Sequence, residues 1–346
     1  MRKKITYLLG AGASADALPL GNDLHKSLMT LADKIRGFEN NDFNYLVEDL
    51  KWLSIKAMEF MSVDAFARFV YFHSFEKNKS LNLGSLEEEI DLSLEYRRIK
   101  DTLNAFFIIY QYKKVDRRYN HWLSHLIVDI GISQYSLKEN IKIFSWNYDN
   151  QLEIAFSKHY PNSKTKDVHS ILASHPAAIF SGDKNFHHDY NRPSLHDRRI
   201  SVYHLNGVAG FHEDGPKHFQ MVDVINSKSE LEIIQDSLAV YDSKNSYLSF
   251  AWEKKNQDDL DIAITKFEET EMLIVIGYSL PEFNAEIDRK VFSSFKHLKT
   301  VIFQNNNIKE ADIKVRLKNR GILPHVEIKF EENVEKFYIP DDFTLN

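Results

Sequence analysis

Short apolar runs along the chain predict a set of buried strands. Each run is rich in Ile, Leu, Val or Phe and stops at small or polar residues, which is typical of a strand buried on both faces. The runs are Ile5–Leu9, Ile141–Ser145, residues 200–204, Met272–Ile276 and residues 299–304. Nearer the C-terminal end, Val326, Ile328 and Phe330 alternate with other residues and predict an edge strand.

Between these runs, apolar side chains recur with the spacing of an α-helix. The helical stretches are residues 22–35, 101–112, 119–130, 151–158 and 283–295. In the first of them Leu24, Leu28 and Leu31 share one face, and Asn22 is the predicted N-cap. Strands that alternate with helices predict an α/β fold, with a Rossmann-like parallel sheet and helices on both of its faces.

Two long stretches depart from the alternation of strands and helices. Residues 36–135 are mostly helical in pattern and contain no run typical of a parallel strand. We therefore expect a single domain of residues 1–346 with a helical insertion at 36–135. Residues 161–199 are largely polar and include Pro161, Pro176 and Pro193, which predicts a long, mostly irregular segment over the site.

The first strand runs directly into a glycine-rich loop. Gly10, Gly12 and Ala15 fit the dinucleotide-binding pattern, in which small residues let the backbone approach a pyrophosphate at a helix N-terminus. A tight turn between a strand and a helix also favours glycine, so the loop alone does not separate the two interpretations. An ordinary dehydrogenase would have a second strand that ends in an acidic residue about 20 positions further on. No such strand is predicted before residue 141, which counts against a dehydrogenase.

Polar side chains follow two of the later strands. Asn147 and Asp149 come just after the strand Ile141–Ser145. They could bind ribose hydroxyls or orient a water molecule, and Asp149 could instead simply cap the next helix. His204 ends the strand at residues 200–204 and is a candidate acid or base, although a histidine in such a place is often structural.

The last two strand ends also present small or polar residues. Gly277 and Ser279 follow the strand Met272–Ile276 and could cradle a phosphate or a ribose, or form a simple turn towards Pro281. Asn305 follows the final parallel strand and could contact the adenosine side of a nucleotide or lie in a solvated loop. Because parallel strands end at the same edge of a sheet, we expect these groups to line one pocket.

The composition of the chain counts against a nucleic-acid-binding protein, a membrane protein and a protein with a thiolate zinc site. The chain is 43% hydrophobic and 27% charged with a net charge of -6, which is ordinary for a globular protein and gives no electrostatic signal for nucleic acid. No apolar run approaches the roughly 18 residues that span a bilayer, and no signal peptide is recognised, so we expect no membrane association. The chain contains no cysteine, which excludes thiolate zinc sites and fits a cytoplasmic location. Its histidines lack the His-Glu-x-x-His spacing, and we expect no metal.

Taken in order, the motifs resemble those of the sirtuin-like family. The run Gly10-Ala11-Gly12-Ala13-Ser14 is similar to the NAD-binding loop of that family. The run Leu18-Pro19-Leu20-Gly21 stands where the family has its nicotinamide-side loop. The resemblance covers about residues 1–35 and 140–307, which form the predicted sheet core.

The later motifs extend the resemblance. Asn147 and Asp149 are similar to the Asn-x-Asp motif of the family, and His204 is similar to its catalytic histidine. Gly277-Tyr278-Ser279 resembles its later ribose and phosphate turn. Protein-deacylating sirtuins carry a four-cysteine zinc module and a Pro-Asp-Phe-Arg sequence, whereas this chain has no cysteine and reads Pro19-Leu20-Gly21-Asn22.

These departures make the chain more similar to the bacterial sirtuin-like NADases of antiphage defence, of the zinc-less, HerA-associated or Thoeris-like type. Their Asn-Tyr-Asp and Gly-Tyr-Ser-x-Pro-Glu motifs are close to residues 147–149 and 277–282. The resemblance implies that NAD is hydrolysed to nicotinamide and ADP-ribose without zinc. It also implies a homo-oligomer and, as in some members, a HerA-type ATPase partner.

Residue roles follow from the resemblance. Asn147 would orient the water or the nicotinamide ribose, and Asp149 would support Asn147 or the ribose. His204 would act as a base toward a ribose hydroxyl or the water. The residues expected to line the rest of the NAD site are Gly10, Ala11, Gly12, Ser14, Pro19, Gly277, Ser279 and Asn305. Three alternatives stay open: a module that binds NAD or ADP-ribose without turnover, an NAD-dependent protein deacylase, and an assembly protein with an empty nucleotide site.

Overall fold

The fold is taken from a computed structural model, which describes nine stretches of the chain. These are residues 3–73, 86–131, 134–159, 174–176, 201–210, 229–242, 248–253, 257–306 and 309–341. The chain divides into two compact units. We call them the sheet unit, which comprises residues 1–17, 115–208 and 249–346, and the helical unit, which comprises residues 18–114 and 209–248.

The sheet unit is built on a seven-stranded sheet in which neighbouring strands pair in parallel. Its strands are β1 (Ile5–Leu9), β4 (Ile141–Ser145), β5 (Ser174–Pro176), β6 (Val202–His204), β7 (Met272–Ile276), β8 (Thr300–Gln304) and β9 (Glu327–Glu331). Two further strands, β2 (Ile127–Gly131) and β3 (Gln134–Leu137), form a separate antiparallel pair. All seven strands of the large sheet therefore end at the same edge.

The order of the strands defines the fold. Across the sheet the order is β5-β6-β4-β1-β7-β8-β9, so the six strands from β6 to β9 follow the 3-2-1-4-5-6 order of the doubly wound Rossmann fold. From β1 the chain goes to β4 on one side, and from β7 it goes to β8 on the other side. The carboxyl ends of β1 and β7 consequently form the topological switch point, where open α/β sheets bind their ligands.

Helices are present in both units. The sheet unit contains α5 (Arg117–Leu126), α6 (Gln151–Ser157), α8 (Gln257–Phe267), α9 (Ala285–Ser293) and α10 (Glu310–Asn319). The helical unit contains α1 (Leu24–Arg36), α2 (Asn44–Glu59), α3 (Val63–Tyr71), α4 (Leu86–Tyr110) and α7 (Glu230–Asp242). Short polar side chains start two of these helices: Ser62 accepts the Ala65 amide of α3 at 3.0 Å, and Asp116 accepts the Arg118 amide of α5 at 3.0 Å.

Helices cover both faces of the sheet because side chains alternate along each strand. On β1, Ile5, Tyr7 and Leu9 face a core that also holds apolar residues of α5 and α6. Leu8 faces the opposite core, which holds apolar residues of α8, α9 and α10. Every residue of β1 and β7 is buried, as expected for central strands covered on two sides.

The helical unit has its own interior. Leu28 of α1 and Leu50 of α2 are fully buried. Between α2 and α4, Arg98 Nε donates to Asp49 Oδ1 at 2.7 Å, and the Arg98 guanidinium lies 4.1 Å from the centre of the Trp52 ring. Apolar burial and one ion pair that stacks on an aromatic ring thus hold these helices together.

The structure confirms the predicted fold class: an α/β protein with a Rossmann-like parallel sheet flanked by helices. The five predicted strands are present, and the predicted edge strand is β9, which pairs with β8 alone. Three helices of the helical unit lie within residues 36–135, at 44–59, 63–71 and 86–110. The exact bounds of the predicted insertion stay a prediction.

Several predicted helix ends are wrong. The helix predicted for residues 119–130 ends at Leu126, because Ile127 is already extended (φ -83, ψ 144) and begins β2. The predicted cap Asn22 lies inside a short 3-10 turn, and α1 begins at Leu24. The helix predicted for residues 101–112 instead starts much earlier, at Leu86.

The segment of residues 161–199, predicted to be irregular, lies outside the described residues except for Ser174–Pro176. Those three residues form β5 at the edge of the sheet and pair with β6, so the segment predicted to be mostly irregular contains one short strand. None of the helices in the described stretches combines the length and the apolar character needed to cross a bilayer.

Replacing Phe144 with alanine should strongly destabilise the sheet unit. The Phe144 side chain is fully buried, and its ring stacks on Phe267 with 3.8 Å between the ring centres. Removing a buried phenylalanine side chain typically costs about 3–5 kcal/mol of unfolding free energy. Urea denaturation should show this loss for Phe144→Ala, whereas Val315→Ala on the exposed side of α10 should change stability by less than about 0.5 kcal/mol. Equal losses in the two variants would contradict the assigned core.

Candidate functional site

Two glycine-containing turns pack directly against each other at the switch point. The Gly12 amide donates to Gly277 O at 2.8 Å, and the Gly10 amide donates to Ile276 O at 3.0 Å. A Cβ on Gly12 would lie 2.7 Å from Gly277 Cα, and a Cβ on Gly277 would lie 2.3 Å from Ala13 N. Gly277 also has a φ of +62. Glycine is therefore required here because two backbone turns approach too closely for any side chain.

This contact restricts how the loop after β1 could bind a phosphate. The amides of Gly10 and Gly12 are bonded to carbonyls of the β7 turn, and the Ala13 amide donates to Gly10 O at 2.8 Å. Ala11 is exposed and Gly12 is partly exposed. The glycine pattern is thus fully explained by packing within the protein, and any ligand contact of the loop falls on its exposed part around Ala11.

A buried ion pair clamps the same loop from the other side. Arg118 Nη2 donates to Gly12 O and to Ala13 O, at 3.2 Å each. Arg118 Nε donates to Asp116 Oδ1 at 2.9 Å, and Asp116 in turn accepts the Asp16 amide at 3.1 Å. Asp116 is fully buried. The start of α5 therefore fixes the loop by bonding its carbonyl groups.

Ser14 connects the loop to the end of β4. Asn147 Nδ2 donates to Ser14 Oγ at 3.2 Å, and Ser14 Oγ is also 3.1 Å from the Tyr119 hydroxyl. The exposed fractions of Ser14 and Asn147 are only 1% and 5%. The amide of Asn147 donates to Ser145 Oγ at 3.2 Å, which fixes the turn that carries it. The structure therefore brings these two predicted site residues into direct contact.

Asp149 has both a capping bond and a perturbed carboxyl group. Asn150 is the N-cap residue of α6, and Asp149 Oδ1 accepts the amide of Gln151, the first residue of this helix, at 2.9 Å. This oxygen thus bonds an amide at the helix start, as the capping interpretation expects. The pKa of the Asp149 carboxyl is raised to about 6, mainly by burial and to a smaller extent by the nearby charge of Glu153. Hydrogen bonds from Gln151 and Ser14, and the nearby His204, act in the opposite direction.

His204 forms a buried pair with a carboxylate to which no sequence motif points, that of Glu153. His204 Nε2 is 2.8 Å from Oε1 of Glu153, in the first turn of α6. The side chains of His204 and Glu153 are 1% and 0% exposed. Within the described part of the chain, His204 Nδ1 has no hydrogen-bond partner. Glu153 could have been suspected from sequence only as an acidic residue in the helix that follows Asp149.

Another buried network supports the turn after β7. The Tyr278 hydroxyl donates to the Asp288 carboxylate at 3.0 Å and accepts from Asn284 Nδ2 at 3.0 Å. Arg320 Nε donates to Asp288 Oδ2 at 3.0 Å, and Arg320 Nη2 donates to Leu280 O at 2.7 Å. Burial raises the pKa of Asp288 to about 7, although Tyr278 and Arg320 oppose this. The network holds Leu280 in a left-handed conformation with φ +53.

The predicted site residues fall into distinct groups. Ser14, Asn147, Asp149 and His204, together with Glu153, form what we call the polar cluster, at the carboxyl ends of β1, β4 and β6. Gly10, Gly12 and Gly277 form the backbone contact at the switch point. Ala11 and Ser279 are exposed, and Pro19 belongs to the helical unit.

Asn305 stands apart from the polar cluster. It follows β8, which β7 separates from β1, and its amide donates to Glu331 O at 3.1 Å. No sequence motif points to the buried groups that hold the site in place. These are Tyr119, Asp116, Arg118, Glu153, Asp288 and Arg320.

Comparison with models of known protein families finds no match, and comparison with curated protein sequences finds none either. In the stretches that the structure describes, no group of three or more histidine, aspartate or glutamate side chains is arranged to hold a metal ion. The absence of zinc from the functional protein stays a prediction.

Adding a methyl group at Gly277 should disrupt the contact between the two turns. Gly277→Ala would force an alanine into a left-handed conformation and place its Cβ against the backbone of Gly12 and Ala13. We expect a loss of at least about 1–3 kcal/mol of unfolding free energy, measured by urea denaturation. Gly21→Ala is the matched control, because a Cβ there meets nothing within 4 Å. If Gly277→Ala were as stable as Gly21→Ala, the close approach would be wrong.

The raised pKa of Asp149 should make stability depend on pH. The folded-state pKa of about 6 lies above the ordinary value of 3.8, so the folded protein binds the proton more tightly between these values. The contribution of Asp149 to stability should therefore fall as the pH rises from about 4 to about 6. The variant Asp149→Asn keeps an acceptor for the amide at the helix start. Relative to this variant, wild type should lose about 2–3 kcal/mol of unfolding free energy between pH 4 and pH 6. Urea denaturation at several pH values measures the difference in unfolding free energy between the two proteins. A difference that does not change with pH would contradict the raised pKa of Asp149.

Proposed function

We propose that this protein is an NAD glycohydrolase that cleaves NAD to nicotinamide and ADP-ribose, as the sirtuin-like NADases that it resembles do. The observation that carries the proposal is the polar cluster, in which an amide, a hydroxyl, two carboxyl groups and an imidazole meet in a buried position. The cluster lies at the carboxyl edge of a sheet with the Rossmann strand order, where such sheets bind nucleotides.

The chemistry of the cluster suits glycosidic bond cleavage. Nicotinamide leaves NAD as a neutral ring, so the bond can break through a transition state that resembles an oxocarbenium ion. The protein then has to hold the ribose, stabilise the positive charge that develops and admit one water molecule. Asn147 would orient the water or the ribose, and Asp149 would supply negative charge beside it. His204 would take a proton from the water or from a ribose hydroxyl.

In this proposal the buried residues act on the bond that breaks, and the exposed residues contact the rest of the nucleotide. Asn147, Asp149 and His204 are buried, so charges beside them are screened little by solvent. Ala11 and Ser279 are exposed, and they would contact the phosphates and the second ribose at the surface. The bonded amides of Gly10 and Gly12 would support this surface without contacting the nucleotide.

The proposal includes regulation of the NAD-cleaving activity, because constant loss of NAD would harm the cell. On the basis of the resemblance we expect activity in the cytoplasm, in a homo-oligomer or with a HerA-type ATPase. Binding of NAD without cleavage under every such condition would instead identify a sensing module. Release of acyl-ADP-ribose from an acyl-lysine peptide would identify a protein deacylase.

The direct test is nicotinamide release from NAD by the purified protein, measured by chromatography. We expect His204→Ala and Asn147→Ala to reduce the rate, by at least about 100-fold for His204→Ala if it is the base. His297→Ala is the matched control, because this histidine is exposed and follows α9, outside the cluster. Release that persists at the wild-type rate in both cluster variants would refute the proposed site.

A further inference from the structure

We infer that Glu153 is a positioning residue that holds His204 in the form able to accept a proton. The inference rests on the proposed function, because it assigns how the base of that reaction is prepared. It concerns only residues of the sheet unit, and neither the sequence motifs nor the resemblance points to Glu153.

The placement of the pair follows from the fold. His204 ends β6 and is the parallel-register partner of Ser145, the last residue of β4. Glu153 lies in α6, the helix that begins shortly after β4. The short path from β4 to α6 therefore brings the carboxylate over the end of the neighbouring strand, with 2.8 Å between His204 Nε2 and Glu153 Oε1.

The carboxylate decides which ring nitrogen carries the proton. An ionised carboxylate accepts hydrogen bonds but donates none, so Nε2 of a neutral His204 must carry hydrogen to bond Glu153. The lone pair is then on Nδ1, which has no hydrogen-bond partner in the described part of the chain. A buried nitrogen left in this state is unfavourable for a purely structural histidine. It is the state that a general base requires.

The pair also stabilises the product of proton transfer. When Nδ1 takes a proton, the ring becomes an imidazolium ion, and Glu153 supplies the compensating negative charge at Nε2. Asp149 also interacts electrostatically with His204. Both groups are buried, so their charges are screened little by solvent. Glu153 thus acts through His204 and does not have to contact NAD.

The inference is tested first on the folded protein without any reaction. NMR of wild type carrying ¹⁵N-labelled histidine, with His204→Ala used to assign the signal, reports which nitrogen of neutral His204 is protonated. We expect hydrogen on Nε2 and a bare Nδ1. Hydrogen on Nδ1 would overturn the inference, whatever the activity of the protein.

Kinetics of Glu153→Gln provide the second test. This change keeps the size of the side chain and removes its charge, so the imidazolium form of His204 loses its partner. We expect kcat to fall by roughly 100-fold with KM nearly unchanged, and the acidic limb of the pH profile to move down by at least about one unit. Glu153→Asp, which restores the charge, should recover part of the rate. Glu286→Gln, at an exposed position of α9, is the control and should match wild type.

The two tests separate this inference from the proposed function. Wild type that cleaves NAD, with a Glu153→Gln variant of unchanged kcat and pH profile, would refute the role of Glu153 alone. Wild type that never cleaves NAD would refute the proposed function, and the NMR result would still decide the state of His204. If Glu153→Gln fails to fold, wild-type NMR and Glu153→Asp kinetics remain decisive.

Discussion

The contact between the turns after β1 and β7 is the constraint on which the rest of the site depends. These turns meet at the point where the strand connections diverge, and the Gly12 amide bonds Gly277 O at 2.8 Å. Once this contact forms, the path of the chain from Gly10 to Ser14 is fixed. Ser14 then reaches Asn147 at the end of the neighbouring strand. A change at either turn is therefore transmitted to the polar cluster without any contact to the reacting groups.

The clamp by Arg118 explains how such a tight turn is maintained. Amide groups of the loop are bonded by the β7 turn, while carbonyl groups of Gly12 and Ala13 are bonded by the guanidinium. Both partners of the Arg118–Asp116 pair are buried, so removal of Arg118 would leave the charge of Asp116 uncompensated in the interior. The loop thus combines a flexible sequence with a rigid conformation, which favours fixed placement of Ser14.

The sequence allowed the strands and the edge of the sheet to be predicted, because buried strands such as Met272–Ile276 are short apolar runs. The end of the helix at Leu126 could not be predicted, because the apolar spacing continues into Ile127 and Val128. These two residues are β-branched and belong to a strand. Asn147, Asp149 and His204 were found because they follow or end strands, and Ser14 was found because its loop resembles an NAD-binding loop. Glu153 was missed because its importance depends on its distance to His204, and pairs far apart in sequence carry no local pattern.

In the structure, the support for a nucleotide site comes from the polar cluster and much less from the glycines. The glycines suggested a phosphate-binding loop, yet their conformations and amides are accounted for by contacts within the protein. The polar cluster has no equivalent structural explanation. The bond to the helix start involves only one oxygen of Asp149. Burying this carboxyl, and that of Glu153 beside His204, costs free energy that burying apolar side chains would not cost. Such a cost is typical of functional sites, where local stability is given up for chemistry. The case for an NAD-cleaving site therefore depends on the cluster and much less on the glycine pattern.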